Sequence, residues 1–242
     1  MHKLRTIHLF SGAGGGILAD ILLGHATVCA VEIEPYCWEV LHARQQDGCI
    51  PWFPIFKDVK TFDGKQWRGL VDIVAGGFPC QDISVAGNGS GIKGERSGLW
   101  KEMLRVVSEV RPRYVFVENS PAILVRGFGI VLGDLAALGY DAKWGVFSAA
   151  DIGARHERAR LWCVAYSDKT RHAVCNIQKK FIRQKPQYSE LVRVFRTTRK
   201  TDNPLHLRNT NEMAVWMDRF AAIGNGQCPA VVELAWKTLS NE

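Results

Sequence analysis

Cys80 has the most informative chemical setting in the chain. It follows Gly76-Gly77-Phe78-Pro79 and precedes Gln81-Asp82-Ile83-Ser84. A Gly-Gly-x-Pro-Cys run cannot be an ordinary strand interior, so the thiol is expected on a loop beyond an apolar strand. Nearby backbone N–H groups and cations there would raise its thiolate fraction, as a nucleophile requires. Glu118, in Val117-Glu118-Asn119-Ser120-Pro121, closes another apolar run. Partly desolvated beside the thiolate, it would have a raised pKa and could hydrogen-bond or protonate a ring nitrogen.

A third set of residues has the character of a cofactor site. Phe10-Ser11-Gly12-Ala13-Gly14-Gly15-Gly16 joins a short strand to a helix. Its glycines let a ligand approach the backbone, and the helix start offers N–H groups to an anion. Glu32 lies 20 residues after Gly12 and could accept both hydroxyls of a ribose. Asp58 closes Pro54-Ile55-Phe56-Lys57-Asp58-Val59, where an adenine amino group could be met. Together these favour an adenosine-containing cofactor, without separating a dinucleotide from S-adenosylmethionine. A thiol nucleophile favours the latter, since hydride transfer has no general need of one.

The elements that must position these groups are legible as an α/β alternation. Strands are expected at 7–10, 27–33, 72–78, 114–119, 145–149 and 161–166, with a short third strand ending near Asp58. Helices are expected at 17–23, 35–45, 99–110, 130–138 and 229–239. Near-continuous apolar strands alternating with amphipathic helices imply a mostly parallel sheet covered on both faces. In such sheets ligands sit at the carboxyl ends of the strands, which is where the motifs fall.

With 242 residues, 47% hydrophobic and 23% charged, the chain has the composition of a globular protein with a full core. That excludes disordered, collagen-like and disulfide-stapled classes. It has no uncharged apolar run of about 18 residues, and the start lacks a secretory signal pattern. Seven scattered cysteines include no C-x-x-C pair, so zinc-ribbon spacing is absent and no metal is expected. Apart from Cys80 they read as reduced, mostly buried thiols of a cytoplasmic protein. The net charge of +7 is localised: residues 168–212 hold eleven Lys and Arg against four acids, and the rest of the chain is neutral. A polyanion is the natural partner of such a stretch.

As an ordered set these blocks resemble the DNA cytosine-5 methyltransferase family over most of the chain. They run Phe10-Ser11-Gly12-Ala13-Gly14-Gly15, Glu32, Asp58, Gly77-Phe78-Pro79-Cys80-Gln81, Glu118-Asn119, His156-Glu157-Arg158-Ala159-Arg160 and Gly224-Asn225-Gly226-Gln227-Cys228-Pro229. The resemblance implies a Rossmann-like S-adenosylmethionine-dependent methyltransferase fold with a small basic recognition segment. It implies that the Cys80 thiolate attacks C6 of a cytosine turned out of duplex DNA, with Glu118 at N3 and Arg160, supported by Arg158, as fixed cations. Phe10, Ser11, Gly12, Gly14, Glu32, Ile33, Asp58, Val59, Gly76 and Asn225 would line the S-adenosylmethionine pocket. Gln81, Ser84, Arg96, Ser97, Lys179, Lys180 and Arg183 would contact DNA.

By the same resemblance, residues 1–167 form the catalytic and cofactor-binding domain. Residues 168–212 form a short target-recognition segment, and 213–242 return to the catalytic domain. A compact monomer of prokaryotic or phage type is implied, with a restriction endonuclease as a possible companion. Phe78 stands where the family usually has a second proline, Ser120 replaces a more usual apolar residue, and His156-Glu157 replaces Gln-Arg. Two further readings keep the fold and change the role: the same chemistry on transfer RNA, or a catalytically impaired DNA-binding relic. The Cys-Phe-Thr element usual in the RNA-directed branch is absent.

Overall fold

The structure is a computed structural model that describes residues 3–79, 98–167 and 226–240. Strands β1 (Arg5–Leu9), β2 (Ala26–Val31), β3 (Ile55–Phe56), β4 (Ile73–Gly76), β5 (Tyr114–Asn119), β6 (Tyr140–Phe147) and β7 (Arg160–Ser167) form one sheet. Its order is β3-β2-β1-β4-β5-β7-β6, and only β7 runs against its neighbours. The helices are α1 (Gly15–Leu23), α2 (Pro35–Gln46), α3 (Leu99–Val110), α4 (Ile123–Arg126), α5 (Phe128–Ala137) and α6 (Pro229–Ser240).

Residue parity along the central strands explains the two-faced core. Val74, Val115, Val117, Leu161 and Cys163 turn to one face, with α3 and α5. Ile73, Ala75, Tyr114, Phe116, Trp162 and Val164 turn to the other, with the buried side of α6. Strands buried on both faces need no polar alternation, which is why they read as apolar runs. Trp236 of α6 meets Tyr114, Phe116 and His25 edge-on at ring separations of 5.3 Å. Truncating a side chain so placed costs about 3–5 kcal/mol, enough to make the last helix an integral part of the domain.

β5 and α3 have the expected boundaries; β6 does not. It begins at Tyr140, five residues before the expected strand, because Tyr140-Asp141-Ala142-Lys143-Trp144 pairs with β7 at the sheet edge. Polar residues interrupt that stretch, and an edge strand tolerates them. The cysteines also divide: Cys29, Cys37 and Cys163 are buried, Cys228 is half-buried and Cys49 is exposed. Burial pushes the Cys29 and Cys163 thiols up to about 12, which removes them as nucleophiles at neutral pH.

A buried polar cluster lies behind the first glycine turn. Asp20 of α1 meets His8 Nε2 at 2.8 Å and accepts hydrogen bonds from Thr27 at 2.7 Å and Thr6 at 3.3 Å, while His25 Nδ1 lies 3.6 Å away. These partners outweigh burial and hold the Asp20 carboxyl well below the usual carboxylate range. The cluster pins α1 to β1 and β2.

Candidate active site

The strand order reverses between β1 and β4, so the loops leaving their carboxyl ends part there and open a crevice. The turn after β1 carries Phe10 to Gly14, and the loop after β4 carries Gly77, Phe78 and Pro79 toward Cys80. Because β7 is reversed, its first residue, Arg160, reaches the same edge beside the end of β5, where Glu118 pairs with Trp162.

Glu118 shares strand parity with Tyr114 and Phe116 and therefore turns to the α6 face. Its Oε1 lies 3.1 Å from Arg160 Nε. Burial raises the Glu118 pKa, opposed by the Arg160 and Arg158 cations and by a hydrogen bond from the Gln227 side chain. Arg158 has φ +38° and bonds the Gly226 carbonyl, tying the approach to β7 to the approach to α6. Asn119 turns the other way. Its amide donates to the Phe78 carbonyl at 3.3 Å and its own oxygen accepts from the Ser120 N–H at 2.8 Å. The Glu-Asn pair thus divides its work: one side chain faces the site and the other holds the loop leading to Cys80. Phe78, where a proline is usual, is buried with its ring 5.3 Å from that of Trp100. An anchored aromatic fixes this stretch in place of a second rigid ring.

On the other side of the crevice, Glu32 directly follows β2. Its carboxylate accepts the Gly12 N–H at 2.6 Å and the Glu34 N–H at 2.8 Å, and burial raises its pKa. The Ile33 N–H bonds the same carboxylate, so three backbone donors hold it in place. Gly12, at φ +55°, has open space where a side chain would be, and Ile33 beside it is 69% exposed. Phe10 also has positive φ, and the Ser11 hydroxyl lies within hydrogen-bond reach of the His8 and Val31 carbonyls. Gly14 caps α1 at φ +90°, where a Cβ would lie 2.9 Å from Leu41. Asp58 accepts the Lys60 N–H at 2.9 Å.

Val59 is different: its side chain joins the core and its carbonyl accepts from Arg105 at 2.6 Å, so only its backbone can face a pocket. Gly76 is buried at the end of β4, with the position of a Cβ 3.0 Å from the Leu9 carbonyl. Gly15 and Gly16 serve packing. Their missing side chains make room for Gln227 rather than for a ligand: its carbonyl presses on the Cβ position of Gly15 and its side-chain oxygen lies 2.9 Å from that of Gly16.

Cys80, Gln81, Ser84, Arg96, Ser97, Lys179, Lys180, Arg183 and Asn225 lie outside the described residues. Of the expected site, the structure brings together Glu118, Arg158 and Arg160 in one cluster and Phe10, Ser11, Gly12, Gly14, Glu32 and Ile33 in another. Sequence reasoning missed Asn119, Arg105 and Gln227 as contributors. Two of these sit inside quoted motifs, and Arg105 is a charge on a helix face. Among the described residues no group of His, Cys, Asp and Glu could hold a metal, and no helix is long and apolar enough to cross a membrane.

A singly reversed seven-stranded sheet with its crevice between β1 and β4 defines a Rossmann-like methyltransferase fold. The chain belongs to the C-5 cytosine-specific DNA methylase family, whose model matches residues 4–224. It is 32% identical over 165 residues to the type II methyltransferase M.CviJI of Paramecium bursaria Chlorella virus IL3A, covering 67% of this chain and 43% of that protein. It is also 32% identical over 171 residues to M.NgoMIV of Neisseria gonorrhoeae, covering 69% and 53% respectively. The chain spans about half the length of the curated relatives it matches. The crystal structure of S. pombe Dnmt2 methyltransferase shares the fold, with a TM-score of 0.56, 20% identity and coverage of 85% of this chain and 59% of that one.

Proposed function

We propose that the chain transfers a methyl group from S-adenosylmethionine to C5 of a cytosine turned out of duplex DNA. The observation that carries this reading is the largely enclosed Glu118 carboxyl, 12% exposed and clasped by Arg160 beside the loop that leads to Cys80.

The crevice fits the proposed methyl donor. Glu32, its carboxylate fixed by the backbone N–H groups of Gly12 and Glu34, suits a ribose diol. The open side of Gly12 allows close approach, and exposed Ile33 offers an apolar surface to a purine. Phe10, Ser11, Gly14, Asp58, the Val59 backbone, Gly76 and Asn225 complete the proposed lining. When bound, S-adenosylmethionine supplies an electrophilic methyl group on a cationic sulfur.

The chain's own part begins at Cys80. Its thiolate adds to C6, forming a C–S bond and moving the C5–C6 π electrons to C5. Glu118, biased toward its protonated form, hydrogen-bonds N3 and offsets the charge that spreads into the ring. Arg160 keeps the carboxyl aimed. Once C5 is methylated, its proton passes to a base and the C–S bond breaks, which restores the double bond and the thiolate. Residues 168–212, with Lys179, Lys180 and Arg183, serve as the recognition segment beside a catalytic unit of 1–167 and a returning 213–242. Gln81, Ser84, Arg96 and Ser97 serve as further DNA contacts. A companion endonuclease would place the chain in a restriction-modification pair.

The test is radiolabelled S-adenosylmethionine with mixed-sequence duplex DNA, transfer RNA and DNA containing 5-fluorocytosine in parallel. Label in DNA, with a covalent adduct on the fluorinated substrate, is expected. Label in RNA alone would reassign the polymer, and intact donor binding without transfer to either polymer would overturn the reading.

Two variants probe the supports. At Gly77 a Cβ would meet Glu118 Oε2, so Gly77→Ala must displace the carboxyl. A displacement of that kind costs roughly a hundredfold in rate; single-turnover transfer should show it while the unfolding midpoint stays near the parent's. Arg105 grips the Val59 carbonyl at 2.6 Å and the Phe62 carbonyl at 3.0 Å while paired with Glu102 and Glu109, and so shapes the turn after Asp58. Arg105→Ala should raise the S-adenosylmethionine Kd roughly tenfold, the worth of one charged hydrogen bond. Calorimetric titration measures it, and an unchanged Kd would remove Arg105 from that role.

A further inference from the structure

Gln227 meets both halves of the crevice at once. Its side chain hydrogen-bonds Glu118. Its Nε2 lies 3.3 Å from the Cβ position of Gly77, which Glu118 Oε2 also crowds. Its Oε1 points the other way, to within 2.9 Å of the Cβ position of Gly16, a point that His8 Nδ1 reaches at 3.0 Å. Its carbonyl presses on Gly15, and the preceding carbonyl, of Gly226, is held by Arg158. Three glycines from two separate motifs therefore lack side chains where this one residue passes.

We propose that Gln227 is a positioning residue for methyl transfer, holding the Glu118 carboxyl on its Gly77 side while Arg160 holds Oε1, and locking both to the first glycine turn. The inference rests on the reading of Glu118 as the carboxyl that meets the base. Around Glu118 stand Arg160 of β7, Arg158 before it, Gln227 before α6 and the Gly77 backbone after β4; His8 of β1 lies behind Gln227, and Cys80 lies outside the described residues. Of the neutral partners, the Gln227 N–H favours the ionised carboxyl. Removing it lets Glu118 keep its proton to higher pH, by roughly one unit for a hydrogen bond of ordinary strength.

The test uses the full chain with carbon-13-labelled glutamate, the Glu118 carboxyl signal being assigned by its loss in Glu118→Gln. In Gln227→Met, which keeps the bulk and removes the hydrogen bond, the Glu118 titration midpoint should rise by roughly one pH unit. Single-turnover transfer should slow roughly tenfold, with its Glu118 limb displaced the same way and the S-adenosylmethionine Kd little changed. A folded variant with an unmoved midpoint overturns the proposal. In the parent protein, the Gln227 side-chain amide signals should titrate with the Glu118 midpoint and lose that titration in Glu118→Gln. Amide signals indifferent to Glu118 overturn the proposal even if the methionine variant does not fold. Both magnetic-resonance readouts are independent of turnover, so a chain inactive on every polymer would sink the proposed function without deciding this point.

Discussion

Cys80→Ser should reduce methyl transfer by at least about a thousandfold, equivalent to about 4 kcal/mol of barrier, and should form no adduct with 5-fluorocytosine DNA. A serine hydroxyl at neutral pH is almost wholly protonated, whereas a thiol in a cationic setting supplies its anion readily. The neighbours that prepare the position are untouched by the change. Phe78 remains packed on Trp100, its carbonyl remains bonded to Asn119, and Glu118 remains paired with Arg160. S-adenosylmethionine should therefore bind the variant as it binds the parent. Rate and adduct measured with donor binding separate the outcomes: residual turnover near the parent's would remove Cys80 from the role of nucleophile.

Asp20→Ala should lower stability by about 3–5 kcal/mol, since it leaves His8, Thr6 and Thr27 without their shared buried partner. In a domain of this size that corresponds to a fall in melting temperature on the order of 10 °C. The contribution depends on pH in a definite direction. Asp20 has its carboxyl depressed from an ordinary 3.8, so the stabilisation is fully present above that value and is lost as pH falls below it toward the folded-state value. Circular-dichroism melts of parent and variant should differ most near neutrality and converge in strong acid. A variant melting within a degree or two of the parent at pH 7 would show that the cluster is not a structural pin.

The strands of the sheet centre were legible because burial on both faces makes them continuous apolar runs, as in Tyr114–Asn119. Tyr140–Phe147 is only partly legible, because one side of an edge strand is open and admits Asp141 and Lys143. Within the site, Glu118 is legible as a charge at the end of an apolar strand, and Arg160 only through the resemblance of His156–Arg160 to a family block. Asn119 could not be separated from Glu118 without the parity of the strand, which sends one side chain to each face. Asp20 carries a local signal: an acid within the apolar stretch Ile17–Leu23, with His8 in an apolar strand close before it. Nothing local in the glycine run reveals that Gln227, far along the numbering, presses on Gly15 and Gly16.

That last contact bears on how the domain is born. During synthesis β1, α1 and the first turn emerge about 200 residues before Gln227 and α6, which supply the surface that backs them. Closing so long a chain loop is entropically costly, and contacts this distant in sequence slow folding. A nascent chain would therefore carry an unfinished first turn until α6 docks, leaving the crevice between β1 and β4 incomplete while translation proceeds.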